Sequence, residues 1–402
     1  MGNILRATFF AAVLSPFTAW VCLEATKHRN ASGPYMSWPT RWYILLAIGT
    51  VILQISLIER LRYHLRARAK GCLSAPCYPH KDPFLGLDLL IPVIRAFKEN
   101  TVIYNFQRRF EKYGHTHWSI AFTDWTINTE DPENIKAILT NIDDFPIAGP
   151  RLHTVLPLLG SESIFASNGQ AWHNARSMLR PTFVRDQIAD LECFDRHISN
   201  LLRAIPRDGS TFDMQKLLLD MTMDSSTDFM LGYSTNLLIK PLPEARKFIQ
   251  AFEYVSATMG RRGSTGTAFL PSRELDDQIK IIQSFVESYM VKALADGRKH
   301  ARERKYVFLD AMADSGASME YIRDQVLSII IAGRDTTAGA ISSTIYFLAR
   351  HPEVVAKVRE EVLELNEKNP SWEQLKNMSY LSNTIKEGSV NIAPLNSPPS
   401  HV

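Results

Sequence analysis

At 402 residues, 45% apolar and 22% charged, the chain can hold one large domain or two ordinary ones and has a globular composition. A net charge of +3, with no Lys/Arg stripe interleaved with aromatics, argues against a nucleic-acid surface. Four cysteines (Cys22, Cys72, Cys77 and Cys193) are too few and too scattered for a disulfide framework and fit a reducing compartment.

Residues 1–70 read as a membrane anchor with one or two transmembrane helices and a basic flank. The run Trp42–Ile58 is uncharged over 17 residues, the lower limit for a span, and Ala7–Leu23 is a weaker candidate interrupted by Ser15, Pro16 and Thr18. Neither is followed by a clean cleavage pattern, so an anchor is expected and not a removed signal peptide. Arg60, Arg62, Arg66, Arg68 and Lys70 then outnumber Lys27, Arg29 and Arg41 on the other flank, which places the following residues in the cytosol. If both runs span, the Asn30-Ala31-Ser32 sequon faces the lumen.

Gly71–Pro83 reads as a linker. Helical patterning over Ile91–Tyr113 is followed by Trp118–Phe122 and Trp125–Thr129, which flank a tight turn and predict a β-hairpin. Asp131-Pro132 starts a helix through Leu139. From Gln170 to Ile205 and from Phe212 to Arg298 the pattern is helical, and the glycines at 260–266 predict a loop. A long helix begins near Ser318, a suitable N-cap with Glu320 in its first turn, and Pro352 opens the next. A short helix covers Tyr380–Glu387, after which 388–402 lose periodicity and are expected to be a disordered tail.

Within the long helix, Leu327–Leu348 is almost wholly apolar except for Arg334, Asp335, Thr336 and Thr337 at its centre. Those charges would cost about 5–7 kcal/mol at the middle of a bilayer, so a third span is rejected in favour of a buried helix in a helical domain. Gly333 leaves room against the backbone, and Thr336 can bond back to a carbonyl and open a polar notch. A small residue, an acid and a hydroxyl in a dry pocket are the parts needed to bind dioxygen and pass it protons.

Here the chain resembles the cytochrome P450 superfamily of heme-thiolate monooxygenases. Ala332-Gly333-Arg334-Asp335-Thr336-Thr337 is similar to the family's oxygen-activation motif (A/G)-G-x-(D/E)-T-(T/S) without a gap. Trp172-His173-Asn174-Ala175-Arg176 has the family's W-x-x-x-R spacing, with Pro181 and Phe183 following. At i and i+4 that indole and guanidinium leave one helix face, able to bind a heme propionate. Gly71-Cys72 and Lys81-Asp82-Pro83-Phe84-Leu85-Gly86-Leu87-Asp88 resemble the fungal branch that hydroxylates n-alkanes and fatty acids.

The resemblance implies a mainly α fold with a small β-sheet, the N-terminal and central part of the P450 fold, over residues 71–387. It implies heme iron, with Asp335 and Thr336 catalytic and Trp172, Arg176, Ala332 and Gly333 at the cofactor. It also implies a hydrophobic substrate (a long-chain alkane or fatty acid), NADPH-cytochrome P450 reductase as electron donor, and an endoplasmic reticulum membrane location with the main domain facing the cytosol. Two family elements are not found. The E-x-x-R motif is matched at Glu387, but Val390 takes the Arg position, and no cysteine follows Cys193 to serve as thiolate ligand. The sequence therefore predicts a C-terminally truncated chain without the proximal heme-ligand region, inactive as it stands. Its 388–402 segment would come from a retained intron or frameshift. The alternative function is a non-catalytic remnant or membrane-anchored regulatory protein without active heme.

Overall fold

A computed structural model describes residues 38–72, 75–82, 86–121, 124–183, 191–265, 267–268, 270–300, 308–365 and 370–391, together with Trp20, Leu23 and Lys27. The chain forms two compact units, Met1–Ala137 and Ile138–Val402. The architecture is mostly helical with one two-stranded sheet among the described residues, as the sequence predicts.

In the first unit, α1 (Trp38–Ala69) covers the apolar run and its basic flank in one continuous helix. Among the described residues no helix is long and apolar enough to cross a membrane. The uncharged stretch is bounded by Arg41 and Glu59, short of the roughly 20 apolar residues a bilayer core requires. Most of the second predicted span, Ala7–Leu23, lies outside the described residues.

The single pattern over Ile91–Tyr113 resolves into two helices, α2 (Leu87–Lys98) and α3 (Val102–Tyr113). Asn100, with φ 54°, turns the chain between them, a conformation that asparagine tolerates better than most residues. The predicted hairpin is present as β1 (Thr116–Ala121) and β2 (Asp124–Thr129), antiparallel from Thr116↔Thr129 to Ala121↔Asp124. His80 ties the start of α2 to this sheet. The Ile120 N–H donates to its Nε2 at 2.9 Å, which leaves the proton on Nδ1 for Asp88 Oδ1 at 3.0 Å.

The next helix, α4 (Pro132–Thr140), starts at the predicted proline. The second unit then contains α5 (Gly149–Leu159), α6 (Gly169–Leu179), α7 (Glu192–Ala204), α8 (Met214–Leu231), α9 (Pro243–Ser264) and α10 (Arg273–His300). After these come α11 (Phe308–Asp314), α12 (Met319–Leu348), α13 (Pro352–Leu363), α14 (Trp372–Asn377) and α15 (Ser379–Asn391). The loop expected at the glycine cluster is instead the end of α9. A Cβ on Gly263 would lie 3.0 Å from Thr154 Oγ1, so the glycine lets α9 approach α5 closely.

The main core gathers α5, α8, α9, α10 and α12 around Met223, Met230, Phe248, Phe252, Ile282, Met290, Val326, Leu327 and Ile330. Phe248 and Phe285 stack with ring centroids 4.2 Å apart, locking α9 to α10. At the other end of the chain, α15 runs past Glu387 to Asn391, so the expected loss of order at Gly388 does not begin there. The rest of the predicted tail, 392–402, lies outside the described residues. Glu387, with Val390 at the position of the motif's arginine, is exposed.

Candidate functional site

The helix α12 is started by Ser318, whose hydroxyl accepts the Tyr321 N–H at 3.2 Å. Its first half is packed on several sides. Ile322, Val326, Leu327 and Ile330 enter the main core, and even the polar Asp324, Gln325 and Ser328 are buried. Gln325 is satisfied on both ends: its Nε2 donates to the Glu162 carbonyl at 3.0 Å and its Oε1 accepts the Ile164 N–H at 3.2 Å.

At Arg334 the environment changes. The residue is 2% exposed. Its Nη1 donates to Asp335 Oδ1 at 2.8 Å and its Nη2 to Glu253 Oε1 of α9 at 3.1 Å. The guanidinium also lies over the Phe252 ring, 5.1 Å from the centroid, while Nε is buried without a hydrogen-bond partner. Two acceptors at the rim and one aromatic face thus compensate most of the cost of burying this cation. Below it on α8, burial first and the Asp224 carboxylate second push the Asp220 acid above its ordinary range, with Arg334 pulling the other way.

Directly after Arg334, Asp335, Thr336 and Thr337 are all exposed. Three consecutive exposed positions span most of a helical turn, so α12 is uncovered on that side at its midpoint. Thr336 Oγ1 donates to the Ala332 carbonyl at 2.5 Å, the back-bond expected from the sequence. Ala332 and Gly333 are half-buried. A Cβ on Gly333 would meet Ser226 Oγ of α8 at 3.2 Å, so its missing side chain serves helix packing on that face.

Trp172 and Arg176 stand together on α6, the guanidinium 5.2 Å from the indole centroid. Arg176 is exposed and forms no ion pair among the described residues. His173 meets the Trp172 ring edge-on at 5.0 Å. The sequence-predicted residues therefore form two groups: Asp335 and Thr336 with Ala332 and Gly333 on α12, and Trp172 with Arg176 on α6.

An exposed cation beside an indole fits a carboxylate at the edge of a heme, and the uncovered turn of α12 fits one of its faces. Among the described residues, Trp172 and Arg176 thus fit the edge of the group and the α12 turn fits its oxygen side.

Sequence reasoning missed Glu253, Ser226 and Asp220. Each reaches the site from another helix, and nothing in its local pattern signals that. Met221, Met223 and Met230 are buried in the core, where they act as packing. The carboxyl-terminal half of α12 borders a 550 Å³ groove with α13 and α15, lined by Phe347, Leu348, Val354, Tyr380 and Glu387 among others.

The profile of the cytochrome P450 family matches residues 83–388. Among curated relatives, cytochrome P450 monooxygenase himC of Aspergillus japonicus is 37% identical over 332 residues, covering 79% of this chain and 59% of the relative. Cytochrome P450 monooxygenase FPY7 of Fusarium mangiferae is 35% identical over 367 residues, covering 86% and 70%. Cytochrome P450 52A12 of Debaryomyces hansenii is 34% identical over 376 residues, covering 87% and 71%. The chain thus spans well under the full length of these relatives.

Proposed function

This chain belongs to the cytochrome P450 family, and we propose that it supplies the oxygen side of a heme-dependent monooxygenase that hydroxylates a long-chain alkane or fatty acid. The observation that carries the reading is the exposed Asp335–Thr336–Thr337 turn that directly follows the packed first half of α12. Being uncovered, these polar groups are accessible to a ligand lying against that face of the helix.

When bound, heme supplies the oxidising chemistry. Trp172 and Arg176 would hold its carboxylates. Asp335, with its side chain 44% exposed and Oδ1 on Arg334, can take a proton from solvent and release it toward the uncovered turn. The arginine keeps that carboxylate oriented. Thr336 shares the same turn, and rotation about χ1 exchanges its bond to the Ala332 carbonyl for one to a group in the notch. Substrate class follows from the likeness to the fungal branch represented by cytochrome P450 52A12.

The exposed Trp42, Leu45, Leu46, Ile55 and Ile58 of α1, followed by its basic end, support seating at the cytosolic face of the endoplasmic reticulum membrane. NADPH-cytochrome P450 reductase would be the electron donor there.

The decisive measurement is the carbon monoxide difference spectrum of the reduced protein, made with heme supplied. The monooxygenase reading requires a heme-thiolate Soret band. Protein without heme, or with a histidine-type spectrum, overturns the monooxygenase reading and favours a non-catalytic role.

A further inference from the structure

We propose that Cys193 and His197 of α7 and Asp228 of α8 form a binding site for one divalent transition-metal ion of the zinc class. Their ligand atoms all lie within 4.8 Å of one another. The inference is independent of the heme chemistry, because it uses none of the α12 or α6 residues.

Cys193 and His197 are four residues apart and so share one face of α7. That face lies against α8, and Phe194 stacks on Phe229 with centroids 6.0 Å apart to hold the two helices in register beside the site. Thiol, imidazole and carboxylate are the sulfur, nitrogen and oxygen donors that zinc accepts, and three protein ligands plus water complete a tetrahedron.

The geometry is close to that of a bound site. Cys193 Sγ and His197 Nε2 both direct their hydrogen bonds to one atom, Asp228 Oδ2, at 3.6 Å and 2.8 Å. Donors that aim protons at a common point also aim lone pairs there once those protons leave. With metal bonds of about 2.3 Å to sulfur and 2.1 Å to oxygen, a tetrahedral edge is about 3.6 Å, the separation already present. The corresponding nitrogen–oxygen edge is about 3.4 Å, so the imidazole must withdraw by only about 0.6 Å.

Charge also balances. The cation displaces the thiol proton to solvent, and the resulting thiolate with the Asp228 carboxylate offsets its two charges. The imidazole binds through Nε2 and carries its proton on Nδ1. His197 is 2% exposed and its Nδ1 is buried without a partner. Lacking that support, the site should bind about 10–100-fold more weakly than one whose histidine has an acceptor behind it. Arg196 is the competitor: its Nη2 sits 3.4 Å from the same Oδ2, but its side chain is 58% exposed and can swing into solvent.

The full chain, purified without metal, is titrated with Co²⁺ and then Zn²⁺. The expected result is one equivalent of Co²⁺ with a near-ultraviolet thiolate charge-transfer band that Zn²⁺ abolishes. The band should disappear in Cys193→Ser and persist in the Cys72→Ser/Cys77→Ser double variant. Asp228→Asn should weaken Zn²⁺ binding by roughly ten-fold or more. Arg196→Ala, a surface change that leaves the helix pair intact, should tighten it. No band in the wild-type chain, a band that survives Cys193→Ser, or unaltered or weaker binding in Arg196→Ala overturns the proposal.

Discussion

The two halves of α12 have the same helical backbone and nearly the same apolar composition, yet they are treated oppositely by the fold. From Ile322 to Arg334 the helix is enclosed by α8, α9, α10 and α5, and its polar side chains are buried with partners. From Asp335 to Leu348 only Ala338 is buried. The first half is held in place by its surroundings, whereas the second presents its residues for use. Arg334 is the junction, a buried cation whose two carboxylate partners reach solvent.

Substitutions can test whether that division is energetic as well as geometric. The largest effect is expected for Leu327→Ala, which empties a fully buried position and should cost ~2–5 kcal/mol in urea unfolding. Ile341→Ala, in the partly buried half, should cost only ~1 kcal/mol. Equal losses would dissolve the distinction.

Arg334→Met should follow, at about 1–2 kcal/mol. The loss is smaller than for an ordinary broken buried pair because Glu253 and Asp335 remain solvated. The same variant should raise the Asp220 acid further, since it removes the one nearby cation of α12 that favours the carboxylate.

Asp220 gives the junction a pH signature. Its carboxyl is held above the ordinary range by burial and then by Asp224, so the folded state keeps its proton to higher pH than the unfolded state. Its contribution is therefore complete below the ordinary aspartate value and is lost as pH rises through the folded value. Asp220→Asn should leave stability unchanged near about pH 3 and raise it relative to wild type near about pH 7, read as a shift in urea midpoint. A variant that loses stability equally at both would refute this.

The smallest effect should come from Thr336→Val. The position is exposed, so thermal unfolding should move by no more than about 0.5 kcal/mol. In heme-loaded protein the same change should depress hydroxylation while reductant consumption continues. A large loss of stability would show that Thr336 is structural and remove the contrast between the halves.

Much of the candidate site is legible in the sequence. The six residues at 332–337, the Trp172/Arg176 pair, the Ser318 cap, the hairpin and the starts of α4 and α13 all announce themselves through short-range rules. A cap, a tight turn or a pair of residues on one helix face needs only neighbours within four positions. The misreadings are equally local in origin. The pattern over Ile91–Tyr113 hid the turn at Asn100, and the glycines near 263 looked like a loop because their packing partner, Thr154, is distant in sequence.

By itself, the sequence determined the family and the residue types of the α12 turn, because both are written in residues close together along the chain. Only the tertiary structure decided which side of that turn is open, that Gly333 faces Ser226, and that Arg334 spends its charge on Glu253, 81 positions away. It likewise placed His197 and Cys193 on Asp228, more than 30 positions along the chain. Burial and long-range pairing depend on how helices stack, and periodicity specifies that a face is buried without naming what buries it.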